Sequence, residues 1–187
     1  RDYYASRGLG DVYKRQFRMC FSDPNQGSAS ADYIADNNLA KKVAVIYNSS
    51  DTYSSGIYQN FVTEAEKKGL EVVAAKAFTA DNKTDFSVQI QKAKDAGAEL
   101  VFLPIYYQEA SLILAQANKA GFSPKWFGCD GMDGILDLEG FDASLAENLM
   151  FLTPFTANAT DDATQKFVAD FKLSLIHISE PTRRVVI

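Results

Sequence analysis

The chain has 187 residues, of which 47% are hydrophobic, 12% aromatic and 23% charged, the profile of an ordinary globular domain rather than a disordered or fibrous chain. Nineteen basic against 24 acidic residues give a net charge of -5, which disfavours a nucleic-acid or anionic-membrane surface. No stretch approaches the roughly 18 apolar residues of a membrane span, and Cys20 and Cys129 make neither a disulfide framework nor a zinc-ligand spacing.

In chain order, residues 2–16, DYYASRGLGDVYKRQ, come first, and they pair with the other end of the chain through the genetic code. Written as GAT GTG TAT AAG AGA CAG, residues 11–16 have the reverse complement CTG TCT CTT ATA CAC ATC, which translates as LSLIHI, residues 173–178. Continued outward, the fifteen codons of 2–16 match the fifteen of 173–187, antiparallel and without a gap. A protein has no reason to carry an inverted repeat of codons, and the pattern resembles the adapter of a transposase-based sequencing library. Both ends, 1–16 and 173–187, are expected to be translated adapter and are kept out of fold reasoning. Removing them takes six basic and three acidic residues from 19 and 24, leaving 13 and 21 over 17–172, a net charge of -8. It also removes His177, the one histidine, and with it any histidine base or histidine metal ligand. The natural start is expected upstream, so the lack of a signal peptide carries no information.

The first apolar run, VAVIY at 43–47, reads as a parallel strand buried on both faces. A polar loop follows, then a helix over 55–68 with Ile57, Phe61 and Ala65 on one face and Gly69 at its C-terminal stop. Strand two is expected over 71–75. Thr84 or Asp85 can cap a helix carrying Phe86, Ile90 and Ala93 towards Gly97. Strand three is LVFLP, 100–104. A helix from about Gln108 to Ala120 turns Ala110, Ile113, Leu114 and Ala117 inward, and Gly121 closes it. Strand four, 125–129, leads to a loop with Gly128, Asp130, Gly131, Asp133 and Gly134, then a short helical turn and a last apolar run at 149–152. A helix starts at Thr160 and includes Phe167, Val168 and Phe171. Strands separated by helices of 10 to 15 residues mean βαβ units, so the fold class is α/β, a parallel sheet with helices on both faces.

Function in such a sheet is expected at the carboxyl ends of the strands. Tyr53 follows strand one, Tyr106 and Tyr107 follow strand three, and Asp130 follows strand four. Each also has a structural reading. Tyr53 can pack its ring on the next helix, only one of Tyr106 and Tyr107 is expected to reach a cleft, and Asp130 can stabilise an Asx-turn. Glycine-rich phosphate loops and the GxSxG elbow are absent. Cys129 has no base near it in the sequence and reads as a small buried filler. Asp161 and Asp162 suit a helix start, and Asp130 with Asp133 is disfavoured as a carboxylate pair. A binding module is the better class; no catalytic residue, cofactor or metal site is expected.

FRMCFSDPNQGSASADYIADN, KKVAVIYNSSDTYSSGIYQNF, DFSVQIQKAKDAGAELVFLPIYYQEASLILAQANKAG and WFGCDGMDG resemble the extracytoplasmic substrate-binding proteins of branched-chain amino-acid ABC transporters, the leucine/isoleucine/valine-binding family. The most specific parts are the Tyr-x-x-Gly after strand one, FLPxYY and the Gly-x-Asp-Gly loop. The resemblance implies two α/β lobes of the type I periplasmic-binding fold, joined by hinge strands, with an amino acid held between them. It places a hinge strand at 17–24, the second lobe at 25–150, and the hinge return with a first-lobe helix at 151–172. Asp130 then stands where the family receives the ligand's α-ammonium, and Tyr53 and Tyr106 where it has cleft tyrosines. The serine and threonine loops for the ligand carboxylate belong to the first lobe. Implied partners are a small amino acid and ABC permease subunits, outside the cytoplasm, in the periplasm or lipid-anchored at the cell surface. A ligand-sensing domain of a receptor or amide-type regulator, or an α/β enzyme fragment, is the alternative.

Overall fold

A computed structural model of the chain describes residues 21–184, the side chains of 174–184 excepted. The expected hinge residues 17–20 lie outside the described residues, as does the first adapter-like segment. The chain divides into two compact units, one ending at Pro154 and the other beginning at Phe155.

The first unit is built on five strands: β1 (Lys42–Asn48), β2 (Glu71–Phe78), β3 (Leu100–Leu103), β4 (Lys125–Gly128) and β5 (Leu149–Phe151). They lie in the order β2-β1-β3-β4-β5, and all neighbouring pairs are parallel. Four helices connect or flank them: α1 (Asp23–Asp36), α2 (Thr52–Lys68), α3 (Ser87–Asp95) and α4 (Tyr107–Lys119). Between β4 and β5 the chain runs through short 3-10 turns.

Alternation along the strands sorts the core into two layers. Val43, Val45, Leu100, Phe102 and Phe127 point to one face, where Ala31 and Ile34 of α1 and Ile57, Phe61 and Ala65 of α2 cover them. Ala44, Ile46, Val101, Leu103 and Trp126 point to the other, where Ile90 and Ala93 of α3 and Ala110, Ile113, Leu114 and Ala117 of α4 pack. The central strands are therefore apolar on both sides, as a sheet sandwiched between helices requires.

The α/β class and the parallel sheet with helices on both faces stand as expected. Helix α1 was not foreseen. Asp23 and Pro24 begin it, with proline in its first turn where no intrahelical N–H is needed, so the last two residues of the expected hinge strand are helical. Its buried residues include Gln26, Gly27 and Ser30, too small or polar to give an apolar stripe. Helix α2 starts one turn earlier than expected because Asp51 caps it: its Oδ1 accepts the Tyr53 amide at 3.2 Å. Asp85 does accept the Ser87 amide at 2.9 Å, although Phe86 occupies the cap position itself. Strand β2 runs on to Phe78, an edge strand half-buried over residues 72–75 and exposed at Lys76 and Ala77.

The second unit carries α5 (Asp162–Arg184). Asp161 receives the Thr164 amide at 2.9 Å, and Phe167 lies edge-on to Phe155 and stacks on Phe171. The helix continues across residue 173, where the second adapter-like segment begins. Among the described residues no helix is long and apolar enough to cross a membrane.

Candidate ligand-binding site

The loops after β1, β3 and β4 converge at one end of the sheet, and each brings one of the expected residues. Tyr53 stands in the first turn of α2, Tyr106 is the extended residue capping α4, and Asp130 opens the 3-10 turn after β4. With Asp23, Tyr107, Gly131 and Asp133 they line an open hollow of about 410 Å³.

Asp130 is held from three directions. The Tyr53 hydroxyl donates to Oδ1 at 2.6 Å, and Nε2 of Gln26 donates to the same oxygen at 2.9 Å. The Asp130 amide in turn donates to Oε1 of Gln26 at 3.0 Å. An amide N–H only donates and a carboxylate only accepts, so this pair fixes which way the Gln26 carboxamide faces. No hydrogen bond among the described residues uses Oδ2. The Asp130 side chain is therefore committed to Tyr53 and Gln26; the Asx-turn reading falls, because the Met132 amide that such a turn would bring to the carboxylate donates instead to the Cys129 carbonyl.

Tyr53 also receives the Gly131 amide at 3.0 Å. Burial first, and then its bond to Asp130, push the phenol far above its ordinary value. The hydroxyl thus stays protonated, and its one proton is used on Asp130. Gly131 has no room for a side chain: a β-carbon would lie 2.8 Å from the Ile105 carbonyl oxygen and 3.0 Å from the Tyr53 hydroxyl.

Tyr106 stacks on Tyr53 with ring centroids 5.0 Å apart and planes 21° from parallel, leaving Tyr106 45% exposed on the hollow. Burial, then the charges of Asp51 and Asp130, raise its phenol as well. The expectation that only one of the adjacent tyrosines reaches the cleft is corrected, since both line it. The backbone changes from extended to helical between them, so strand alternation does not separate their side chains. Asp133 lines the same hollow and accepts from the Thr153 hydroxyl at 3.4 Å. Cys129 is fully buried, and burial raises its thiol out of the reactive range, in keeping with a core filler. Among the described residues no group of three or more His, Cys, Asp or Glu is placed to hold a metal.

Sequence reasoning missed Gln26. Its one visible signal was position, three residues after Asp23 at a helix start with Pro24, but that helix has no apolar period to announce it.

The loops thus gather an acid and two stacked tyrosines at the carboxyl edge of the sheet, where a parallel α/β fold is expected to carry its ligand site. The chain belongs to the periplasmic binding protein family, whose model matches residues 4–175. It is 35% identical over 128 residues to the Leu/Ile/Val-binding protein homolog 3 of Brucella melitensis biotype 1, covering 68% of this chain and 33% of that protein. Among solved structures it is similar to the leucine binding protein LivK from Thermotoga maritima MSB8, with a TM-score of 0.70 and 29% identity, over 84% of this chain and 44% of that one. It is also similar to the branched-chain amino acid transporter substrate binding protein LivJ from Streptococcus pneumoniae, in complex with isoleucine, with a TM-score of 0.69 and 28% identity over 77% of this chain and 40% of that one. The chain spans 33–38% of the length of the curated relatives it matches.

Proposed function

We propose that this chain is most of the second lobe of an extracytoplasmic solute-binding protein, which captures a small aliphatic amino acid between two lobes and delivers it to the permease of an ABC importer. The observation that carries the reading is the Asp130 carboxylate. It is fixed through Oδ1 by two donors, and it lines a hollow with tyrosines beside it. An α-ammonium leaving water needs such an acceptor, and a carboxylate supplies a charge-assisted hydrogen bond. The Tyr106 ring adds apolar wall and attraction for a cation over its face. Lobe closure excludes water and strengthens the contact. The relatives named for leucine, isoleucine and valine binding support the ligand class, and the protein is read as a binder rather than an enzyme.

Calorimetry on the complete protein tests this. Leucine, isoleucine or valine should bind with a single site per chain; heat from none of the three would sink the reading. An uninterrupted read of the source locus tests the rest of it. The read should replace 1–16 and 173–187 with coding sequence for a secretion signal, a first lobe and the return to it, next to permease and ATPase genes. Continuation into a signalling segment would turn the same site to sensing, and continuation of the 1–16 and 173–187 codons in genomic DNA would end the adapter reading.

A further inference from the structure

We infer that Gln26 is a positioning residue for ligand capture: together with Tyr53 it holds Oδ1 of Asp130, so that Oδ2 is the oxygen presented to an ammonium group in the hollow. This rests on the proposed function and extends it to a residue outside the hollow's lining.

Gln26 is 1% exposed. A primary amide at that depth must be bonded at both ends or carry a desolvation cost. Both ends go to one residue, 104 positions away: Nε2 to the carboxylate and Oε1 to the amide of Asp130. The amide bond fixes where the Asp130 side chain starts, and the Oδ1 bond fixes where it ends. A fold in need only of filling would be served by a methionine of similar length.

The mounting is stiff. Gln26 precedes Gly27, where α1 sits so close on α2 that a β-carbon would fall on the Ile57 carbonyl oxygen. The second donor to Oδ1, Tyr53, comes from α2. Both donors therefore belong to one tightly packed helix pair, and their spacing is set by backbone contact.

Two variants of the complete protein separate positioning from packing. Gln26→Met removes both bonds; Gln26→Glu keeps an acceptor for the Asp130 amide and removes the donor to Oδ1. Measured by calorimetry with L-leucine, each should weaken binding by about tenfold or more, the share of a hydrogen bond to a charged group. Placed in an Asp130→Asn background, Gln26→Met should add less than about twofold, because the group it orients is already changed. Leucine affinity within about twofold of wild type for both variants, while Asp130→Asn loses binding, would overturn the inference and leave the function standing. So would a Gln26→Met effect of equal size in both backgrounds, the mark of a packing role. Full leucine affinity in Asp130→Asn alone would instead remove the site reading on which the inference rests.

Discussion

Gly27 of α1 lies against the backbone of α2, where a β-carbon would meet the Ile57 carbonyl oxygen and come within 2.8 Å of the Phe61 amide nitrogen. Neither obstacle is a flexible side chain, so a methyl group must push the helices apart. Gly27→Ala should therefore destabilise the chain by about 1–3 kcal/mol, the usual range for an overpacked interior. Urea unfolding measures this, and an unchanged midpoint would show that α1 is free to shift.

Asp130→Asn keeps the shape of the acid and discards its charge. In the complete protein, leucine affinity should drop at least about tenfold, on the ~1.5–3 kcal/mol of a charged hydrogen bond. Calorimetry at fixed pH reads the change directly, and equal affinities would remove Asp130 from the ligand contacts.

The two stacked tyrosines should answer differently to loss of the hydroxyl. Tyr53→Phe strips a donor from Oδ1 and leaves the Gly131 amide without its partner. It should lower both stability and leucine affinity. For Tyr106 no hydroxyl bond is among the described contacts, so Tyr106→Phe should leave the urea midpoint in place and weaken binding only a few-fold. If Tyr106→Phe destabilised the chain while Tyr53→Phe did not, these roles would be reversed.

Alkali should loosen the fold. Burial raises the Cys129 thiol above its ordinary 9.0, and burial with the Asp130 bond raises the Tyr53 phenol above its ordinary 10.0. In each case the folded chain keeps a proton that the unfolded chain gives up. Their contribution to stability is complete below about pH 9 and is lost as pH rises through and beyond the unfolded values. Urea midpoints taken from about pH 7 to about pH 11 should decline, and Cys129→Ala should delay the onset. A flat profile over that range would contradict the burial of both groups.

The strands were legible because the central ones are apolar on both faces and the loops between them are polar. VAVIY and LVFLP announced β1 and β3 without help from periodicity. The carboxyl-edge rule applied to those strands pointed to Tyr53, Tyr106, Tyr107 and Asp130, the family resemblance singled out Tyr53, Tyr106 and Asp130, and the structure brings all four to one hollow. Helix α1 was hidden for the opposite reason. Its contact with α2 uses Gly27, and its inward first turn uses Gln26, so close backbone approach and a buried amide stand where a larger apolar stripe than Ala31 and Ile34 would have announced a helix. With α1 unseen, the partner of Asp130 was unseen too. The bond joins residues 26 and 130, a separation at which no local pattern connects them.

The strand order carries a consequence for synthesis on the ribosome. Of these five strands the first made, β1, lies inside the sheet; β2 closes one side, and growth then proceeds only outward through β3, β4 and β5. Until β4 emerges, the outer edge of the unfinished sheet is β3, four residues buried on both faces in the finished fold. An apolar edge with unpaired N–H and C=O groups is a template for pairing with another chain. A nascent chain that has emerged past residue 104 but not yet to residue 125 thus exposes an aggregation-prone edge, and the segment that relieves the hazard, 125–130, is also the one that delivers the carboxylate.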